Sequence, residues 1–332
     1  MAMEIRCNHC GALLEGDARF CGLCGSSLGA PAMARLIANR YVLRERIGSG
    51  SLGSVYRAEQ LGVRRNVAIK ILASVPDRDP QVVERFRREG ELMCKLSSPH
   101  TVTTFEYGCE PDGALYIAME LSPGKSLADI LDEVGSMHWT RALRVIVGLC
   151  DSLGEAHALG IVHRDVKPQN ILVEERPSND TFVKLSDFGL AKIVPNDAQS
   201  APVGQMIGSI LYNAPEQLMR RPVDARTDIY ALGALCFRMI TGRHPLYKAQ
   251  RFADLVAAHV RATPPKASSL VSTVPAEIDE MLARCLAKHS DDRYPDATAL
   301  GELAQGLLNV VAHSGTFSAD DATVIEPVKQ DW

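Results

Sequence analysis

No apolar run in these 332 residues approaches the roughly 18 to 20 that a membrane-spanning helix needs. The opening Met1-Ala2-Met3-Glu4-Ile5-Arg6 leads into no apolar stretch either, so a secretory leader is not expected. Basic charge is not in excess. The chain has 36 Lys and Arg against 40 Asp and Glu, a formal net charge of -4, so no global field draws it to nucleic acid or to a membrane. A disulfide framework is missing too. Four of the nine cysteines fall within the first 24 residues, and the other five (Cys94, Cys109, Cys150, Cys236, Cys285) are scattered. That pattern reads as reduced thiols in a cytoplasmic protein. What remains is a chain long enough for about two domains and a sizeable core.

The first feature present is a pair of cysteine knuckles, Cys7-Asn8-His9-Cys10-Gly11 and Cys21-Gly22-Leu23-Cys24-Gly25. Each Cys-x-x-Cys-Gly unit can present two thiolates to one face of a metal, and the glycine permits the backbone turn beneath them. Four thiolates in tetrahedral geometry favour zinc, so Cys7, Cys10, Cys21 and Cys24 are the expected ligands. His9, inside a knuckle, is expected to be exposed. A thioredoxin-like redox role needs one such pair within a larger α/β fold, which does not fit. So short a segment has little core, and the metal would supply much of its folding energy. It resembles a zinc ribbon. Only Arg6 and Arg19 add positive charge, so nucleic acid is an unlikely partner. Residues 28–40 contain Gly, Pro and small residues and read as a linker, with a possible short helical end.

From Tyr41 the pattern changes. Tyr41 to Ile47 alternates as a strand, Gly48-Ser49-Gly50-Ser51-Leu52-Gly53-Ser54-Val55 follows, and a second strand runs to Ala58. A dinucleotide-binding turn would need a helix after those glycines, and here a strand follows. Val67-Ala68-Ile69-Lys70 is another strand, and a lysine inside it needs an anionic partner. Asp79 to Lys95 is charged and helical in pattern. Leu115 to Leu121 is a strand running into Ser122-Pro123-Gly124.

The most chemically dense stretch is His163-Arg164-Asp165-Val166-Lys167-Pro168-Gln169-Asn170, an acid, two cations and an amide within eight residues. Apolar runs flank it (Leu159 to Val162 and Ile171 to Val173), which predicts a charged loop between two strands. Charged loops are usually only solvated. This one is followed by Asp187-Phe188-Gly189 and preceded by the glycine-rich strand pair and Lys70.

In that order these motifs resemble the protein kinases, in particular the eukaryotic-like serine/threonine kinases of bacteria, over residues 41–311. The resemblance implies an α+β, bilobal fold: an antiparallel-sheet N-lobe with one helix, a mostly helical C-lobe, and ATP between them, preceded by the ribbon at 1–27. It implies that Asp165 orients a substrate hydroxyl and accepts its proton, that Lys167 neutralises the moving phosphoryl group, and that Asn170 and Asp187 hold magnesium. Lys70 would meet the ATP phosphates and Glu89, with Glu84 and Glu91 as fallbacks. Ile47, Gly48, Ser49, Gly50, Gly53, Val55 and Ala68 would cover the nucleotide. Met119 would be the gatekeeper, and backbone groups of Glu120 and Leu121 would bond the adenine. His163 is expected to be structural. Arg164 is of the type that pairs with a phosphorylated activation loop. Glu216 of Ala214-Pro215-Glu216 would pair with Arg293, and Asp228 would brace the catalytic loop.

Between Asp187 and Glu216 only Ser200 and Ser209 carry hydroxyls of the serine or threonine type, where the family commonly has several threonines. Ser209 would take the structural place, leaving Ser200 as the candidate for autophosphorylation. Residues 312–332 are polar and acidic and are expected to be disordered. Within them Thr323 mildly resembles an autophosphorylation site read by a forkhead-associated domain. The expected partners are protein substrates, with self-association for autophosphorylation. The alternatives are an ATP-binding pseudokinase scaffold recruiting partners through the ribbon, a small-molecule phosphotransferase, and a ribbon that binds nucleic acid. The closing Ala-Pro-Glu segment, part of a peptide platform in the family, argues for protein substrates.

Overall fold

Alternation of apolar and polar residues between positions 41 and 120 gives strands with one face to a core, and they form one antiparallel sheet. The computed structural model describes residues 4–6, 13–15, 35–50, 53–72, 80–111, 113–175, 181–188, 210–246 and 252–314. Near the N-terminus β1 (Glu4–Arg6) and β2 (Leu13–Glu15) pair antiparallel. Their register sets Arg6 opposite Leu13. The four cysteines themselves lie outside the described residues.

The N-lobe sheet contains β3 (Leu36–Ile37), β4 (Tyr41–Gly50), β5 (Gly53–Gln60), β6 (Arg65–Leu72), β7 (Thr104–Cys109) and β8 (Leu115–Glu120), in the order β3-β4-β5-β6-β8-β7. Strand β3 falls where a linker with a helical end was expected. Ile37 is fully buried in the N-lobe core beside Tyr41, Ala58, Val67 and Ile69. The turn that follows holds Ala38 and Asn39 at left-handed φ of 51° each, and the Ala38 N–H donates to Glu110 Oε1 at 2.8 Å. Two strand residues and a turn leave no periodicity to read in the sequence.

Helix α1 (Pro80–Met93) lies against β7. Phe86 meets Tyr107 edge-on at 5.2 Å, and Gly90 sits directly under that ring. A Cβ at Gly90 would stand 2.7 Å from Tyr107 Cβ, so only glycine allows this approach.

The C-lobe begins with β9 (Lys125–Ser126), α2 (Leu127–Val134) and α3 (Trp139–Ala158). Ser126 caps α2, its hydroxyl accepting the Asp129 N–H at 3.1 Å. Then come β10 (Ile171–Glu175), β11 (Thr181–Leu185), α4 (Pro215–Leu218), α5 (Ala225–Thr241), α6 (Phe252–Arg261), α7 (Ala276–Cys285) and α8 (Ala297–Ser314). The small sheet has the order β11-β10-β9. Helix α5 has 14 buried residues among its 17, the mark of a helix enclosed on all sides. Asp224 caps its start, and Gly242 at φ 70° ends it.

The apolar run before the His163–Asn170 octet is not a strand. Leu159 caps α3 and Gly160 takes φ 75°. The N–H groups of Gly160 and Ile161 then donate to His157 and Ala156 carbonyls, a Schellman closure that reverses the chain. The expected second strand after the octet is β10.

Candidate active site

The octet is held from below by Asp228, which is fully buried near the start of α5. Its Oδ2 accepts the His163 N–H at 2.8 Å and meets His157 Nε2 at 2.9 Å, and its Oδ1 accepts the Arg164 N–H at 2.8 Å. Arg164 is left-handed at φ 68°, a strained state for a side chain that large, and these bonds hold it there. Gln217 in α4 adds a bond from its Nε2 to the Arg164 carbonyl at 2.8 Å. The Asp165 N–H donates to His163 Nδ1 at 3.2 Å, so Nε2 carries the ring hydrogen and donates it to the Ser186 carbonyl at 2.8 Å. His163 is thus a buried brace between the two loops, packed on Phe188 with ring centroids 4.6 Å apart.

On that support stand the remaining polar groups of the octet. Lys167 Nζ meets Asp165 Oδ2 at 2.7 Å, and both side chains remain partly open to solvent. Asn170, at the end of a single 3-10 turn (Pro168–Asn170), donates through Nδ2 to the Asp165 carbonyl at 2.8 Å and to its Oδ2 at 3.1 Å. That leaves the Asn170 amide oxygen as an acceptor. Asp187, left-handed at φ 66°, pairs with Lys70 of β6 at 2.8 Å through one carboxylate oxygen. So a carboxylate and an amide oxygen are available, as a hard cation requires. Among the described residues no group of three or more His, Cys, Asp or Glu could hold a metal by itself. A magnesium here would complete its shell with phosphate and water oxygens.

The upper wall of the cleft is apolar. Val55, Ala68, Met119, Leu121 and Leu172 belong to one packed group, drawn from both lobes. Ile47 is exposed at the edge. Gly48 faces Val55 across β4 and β5, Ser49 faces Ser54, and Gly50 faces Gly53. Gly53 has φ 145°, and a Cβ there would lie 2.9 Å from Leu72 Cα, so glycine is required where β5 begins its pairing with the end of β6. Residues 51–52 lie outside the described residues. Glu89 is half-buried on α1. Its charge and that of Asp187 both bear on Tyr107, whose hydroxyl is pushed up mainly by burial. Glu120 ends β8 at the hinge between the lobes, and its N–H is committed to the Thr103 carbonyl at 2.9 Å, so of its two backbone groups only the carbonyl could meet an adenine.

Below the cleft Glu216 receives a two-pronged bond from Arg293, at 2.7 and 2.9 Å, and the Thr227 hydroxyl at 2.8 Å. Burial alone would raise this carboxyl. The Arg293 bonds and charge outweigh it and hold Glu216 below the usual carboxylate range.

A family model described as "protein kinase domain" matches residues 41–302, most of the chain. The chain belongs to the protein kinase family. A second model, "zinc-ribbon domain", matches residues 6–28. A protein kinase domain uses ATP and magnesium, and a zinc ribbon holds zinc. The chain is 36% identical over 269 residues to the serine/threonine-protein kinase PknH of Mycobacterium tuberculosis, covering 81% of this chain and 42% of that protein. It is 35% identical over 292 residues to the probable serine/threonine-protein kinase PknB of Corynebacterium glutamicum, covering 85% of this chain and 44% of that one. The chain therefore spans less than half the length of these relatives. In fold it is similar to the PknI kinase domain of Mycobacterium tuberculosis, with TM-score 0.66, 26% identity, and coverage of 86% of this chain and all of that one.

As a kinase, the chain brings Lys70, Asp165, Lys167, Asn170 and Asp187 to one cleft, and it places the Glu216–Arg293 pair and Asp228 beneath it. Arg164 Nε is buried without a hydrogen-bond partner among the described residues. The activation segment it was expected to meet, residues 189–209 with Ser200 and Ser209, lies outside them. Sequence reasoning missed Gln217 and Lys184. Gln217 follows the Pro-Glu motif by one residue and could have been read as the capping partner of Ala214, whose N–H it accepts at 2.9 Å. Lys184 meets Glu120 from 64 positions away, and no local spacing marks it.

Proposed function

We propose that this chain is a serine/threonine protein kinase that transfers the ATP γ-phosphoryl group to protein hydroxyls, its own included, in cytoplasmic signalling. The observation that carries this is the cleft itself: Lys70 on Asp187 at 2.8 Å and Lys167 on Asp165 at 2.7 Å, with Asn170 bonded to Asp165. Phosphoryl transfer asks mainly for positioned charge. Asp165 orients the acceptor hydroxyl and takes its proton as the oxygen bonds phosphorus and the bond to ADP breaks. Lys167 stays beside the transferred group. Asn170 and Asp187 hold magnesium, which neutralises phosphate charge when bound. Lys70 leaves its contact with Asp187 for the phosphates, with Glu89 as its counter-ion on α1.

Relatives named as serine/threonine kinases support the choice of acceptor, as does lysine at position 167. Protein substrates, a paired encounter for autophosphorylation at Ser200, and a forkhead-associated reader of Thr323 belong to the same proposal. The ribbon is assigned to partner proteins. No helix among the described residues is long and apolar enough to cross a membrane. The test is transfer to a generic protein substrate, followed by amino-acid analysis and site mapping. Phosphoserine or phosphothreonine that disappears in Lys70→Met is expected. Phosphotyrosine alone, or label on a small molecule but on no protein, would contradict it.

A further inference from the structure

Glu120 lies where the N-lobe sheet passes into the C-lobe, and it is held at three points. Its N–H donates to the Thr103 carbonyl at 2.9 Å. Its Oε1 accepts the Thr103 N–H at 2.8 Å and Lys184 Nζ at 2.6 Å. Thr103 leads into β7 of the N-lobe, whereas Lys184 sits on β11 of the C-lobe, three residues before Asp187. One carboxylate oxygen thus ties the hinge to both lobes. The side chains are 14% and 27% exposed, so water screens the pair only in part.

The second half of the hinge is anchored independently. The Ser122 hydroxyl donates to Glu174 Oε1 at 3.0 Å. Gly124 runs so close to β10 that a Cβ would lie 2.6 Å from the Val173 carbonyl oxygen. Strand β9 then pairs with β10. Among the described residues, Glu120 is the one position of residues 120–124 with a long-range ion pair.

We propose that Lys184 is a positioning residue for the nucleotide: through Glu120 it fixes the hinge backbone against which an adenine rests. The proposal rests on the kinase reading. Lys184 is separated from the cleft by Glu120, so its loss acts on the affinity for ATP and leaves the transfer step intact. Interactions made equally before and during the reaction change KM and not kcat. Without Lys184 the Glu120 carboxylate keeps one N–H donor and is drawn toward water, which loosens its hold on Thr103.

The experiment uses the full chain with Lys184→Met, Lys184→Arg and the reversed pair Lys184→Glu with Glu120→Lys. Two readouts are taken: steady-state transfer to a protein substrate, and direct titration with a fluorescent ATP analogue. Lys184→Met is expected to raise KM for ATP and the analogue's Kd by about fivefold or more, with kcat within about twofold. Lys184→Arg is expected to recover most of that affinity; the reversed pair, which restores the charge pair but leaves the Thr103 N–H without its carboxylate acceptor, is expected to recover less. Unchanged analogue affinity in a folded Lys184→Met variant overturns the proposal, and so does a variant faster than wild type at saturating ATP. The latter would mean that the pair holds the hinge out of its working position. If Lys184→Met does not fold, Lys184→Arg and the reversed pair decide by the same affinities. Wild-type protein that binds the analogue but transfers no phosphate contradicts the kinase reading alone, and the titration still decides the role of Lys184.

Discussion

Arg293 is almost wholly buried, and its charge is answered by Glu216, 77 positions earlier, with carbonyls of Arg226, Ala287 and Lys288 taking its remaining donors. Removing one partner of such a pair leaves a buried charge uncompensated, which costs roughly 3–5 kcal/mol. Arg293→Met is therefore expected to lower the free energy of unfolding by about that much in urea melts, and a variant within 1 kcal/mol of wild type would contradict this reading. Lysine should not rescue it, because the bond to Glu216 is two-pronged. At this scale, legibility followed distance along the chain. Asp165, Lys167 and Asn170 fall within six positions, so their types and spacing carried the chemistry. The ion pair of Lys184 with Glu120 crosses 64 positions and leaves no local trace. Glu216 and Arg293 are as far apart, but each sits in a short motif of its own, and the family resemblance joined them.

Among the elements, α1 is the one that carries Glu89, the proposed counter-ion of Lys70. Its approach to β7 depends on Gly90 lying under Tyr107. Gly90→Ala should push the helix outward, costing about 1–3 kcal/mol as overpacking does, and should slow phosphate transfer. Equal stability and activity in Gly90→Ala would show that the helix yields freely. The hairpin of β1 and β2 invites a different test. Four thiolates predict one zinc per chain, and Cys10→Ser should lose it, with the ribbon unfolding while the kinase domain keeps its melting transition. Retention of one tightly held zinc in Cys7→Ser, Cys10→Ser would contradict the ligand set. Strong periodicity made the long elements legible: α3, α5 and strands β4, β5, β6 and β8 fall where the pattern put them. Strand β3 and the end of α3 did not. Two residues cannot show a period, and Gly160 converts an apolar run that resembles a strand into a helix closure.

Across the whole molecule, the C-lobe hides a pair of histidines that sets its response to acid. Burial is the main cause that lowers both His244 and His259, to about 3 in each case. Lys288 adds repulsion at both, as does Arg238 at His244, while the Leu211 carbonyl bonded to His244 acts the other way. His259 Nδ1 also meets the Tyr230 hydroxyl at 3.0 Å. In the unfolded chain each histidine returns to about 6.5. Their contribution is fully present above that value and is lost as pH falls from about 6.5 toward 3, by up to roughly 1.4 kcal/mol per histidine per pH unit. Glu216, held below its ordinary range, adds a second loss only under more acid conditions, below about 4.3. Urea midpoints between pH 7.5 and 5.5 should fall with acid, and less steeply in His244→Gln, His259→Gln; equal slopes would contradict this.

The central claim, that the cleft transfers phosphate, belongs to the molecule as a whole, since Lys70, Asp165 and Asp187 come from both lobes. The direct measurement is incorporation of label from γ-labelled ATP and magnesium into the purified full chain, beside Asp165→Asn, with nucleotide binding measured for both. The account predicts labelling by the wild type, a fall of about 10²- to 10⁴-fold in the variant, and ATP affinity retained in both. A wild type that binds ATP with magnesium yet labels neither itself nor a protein substrate, or an Asp165→Asn chain as fast as wild type, would contradict it.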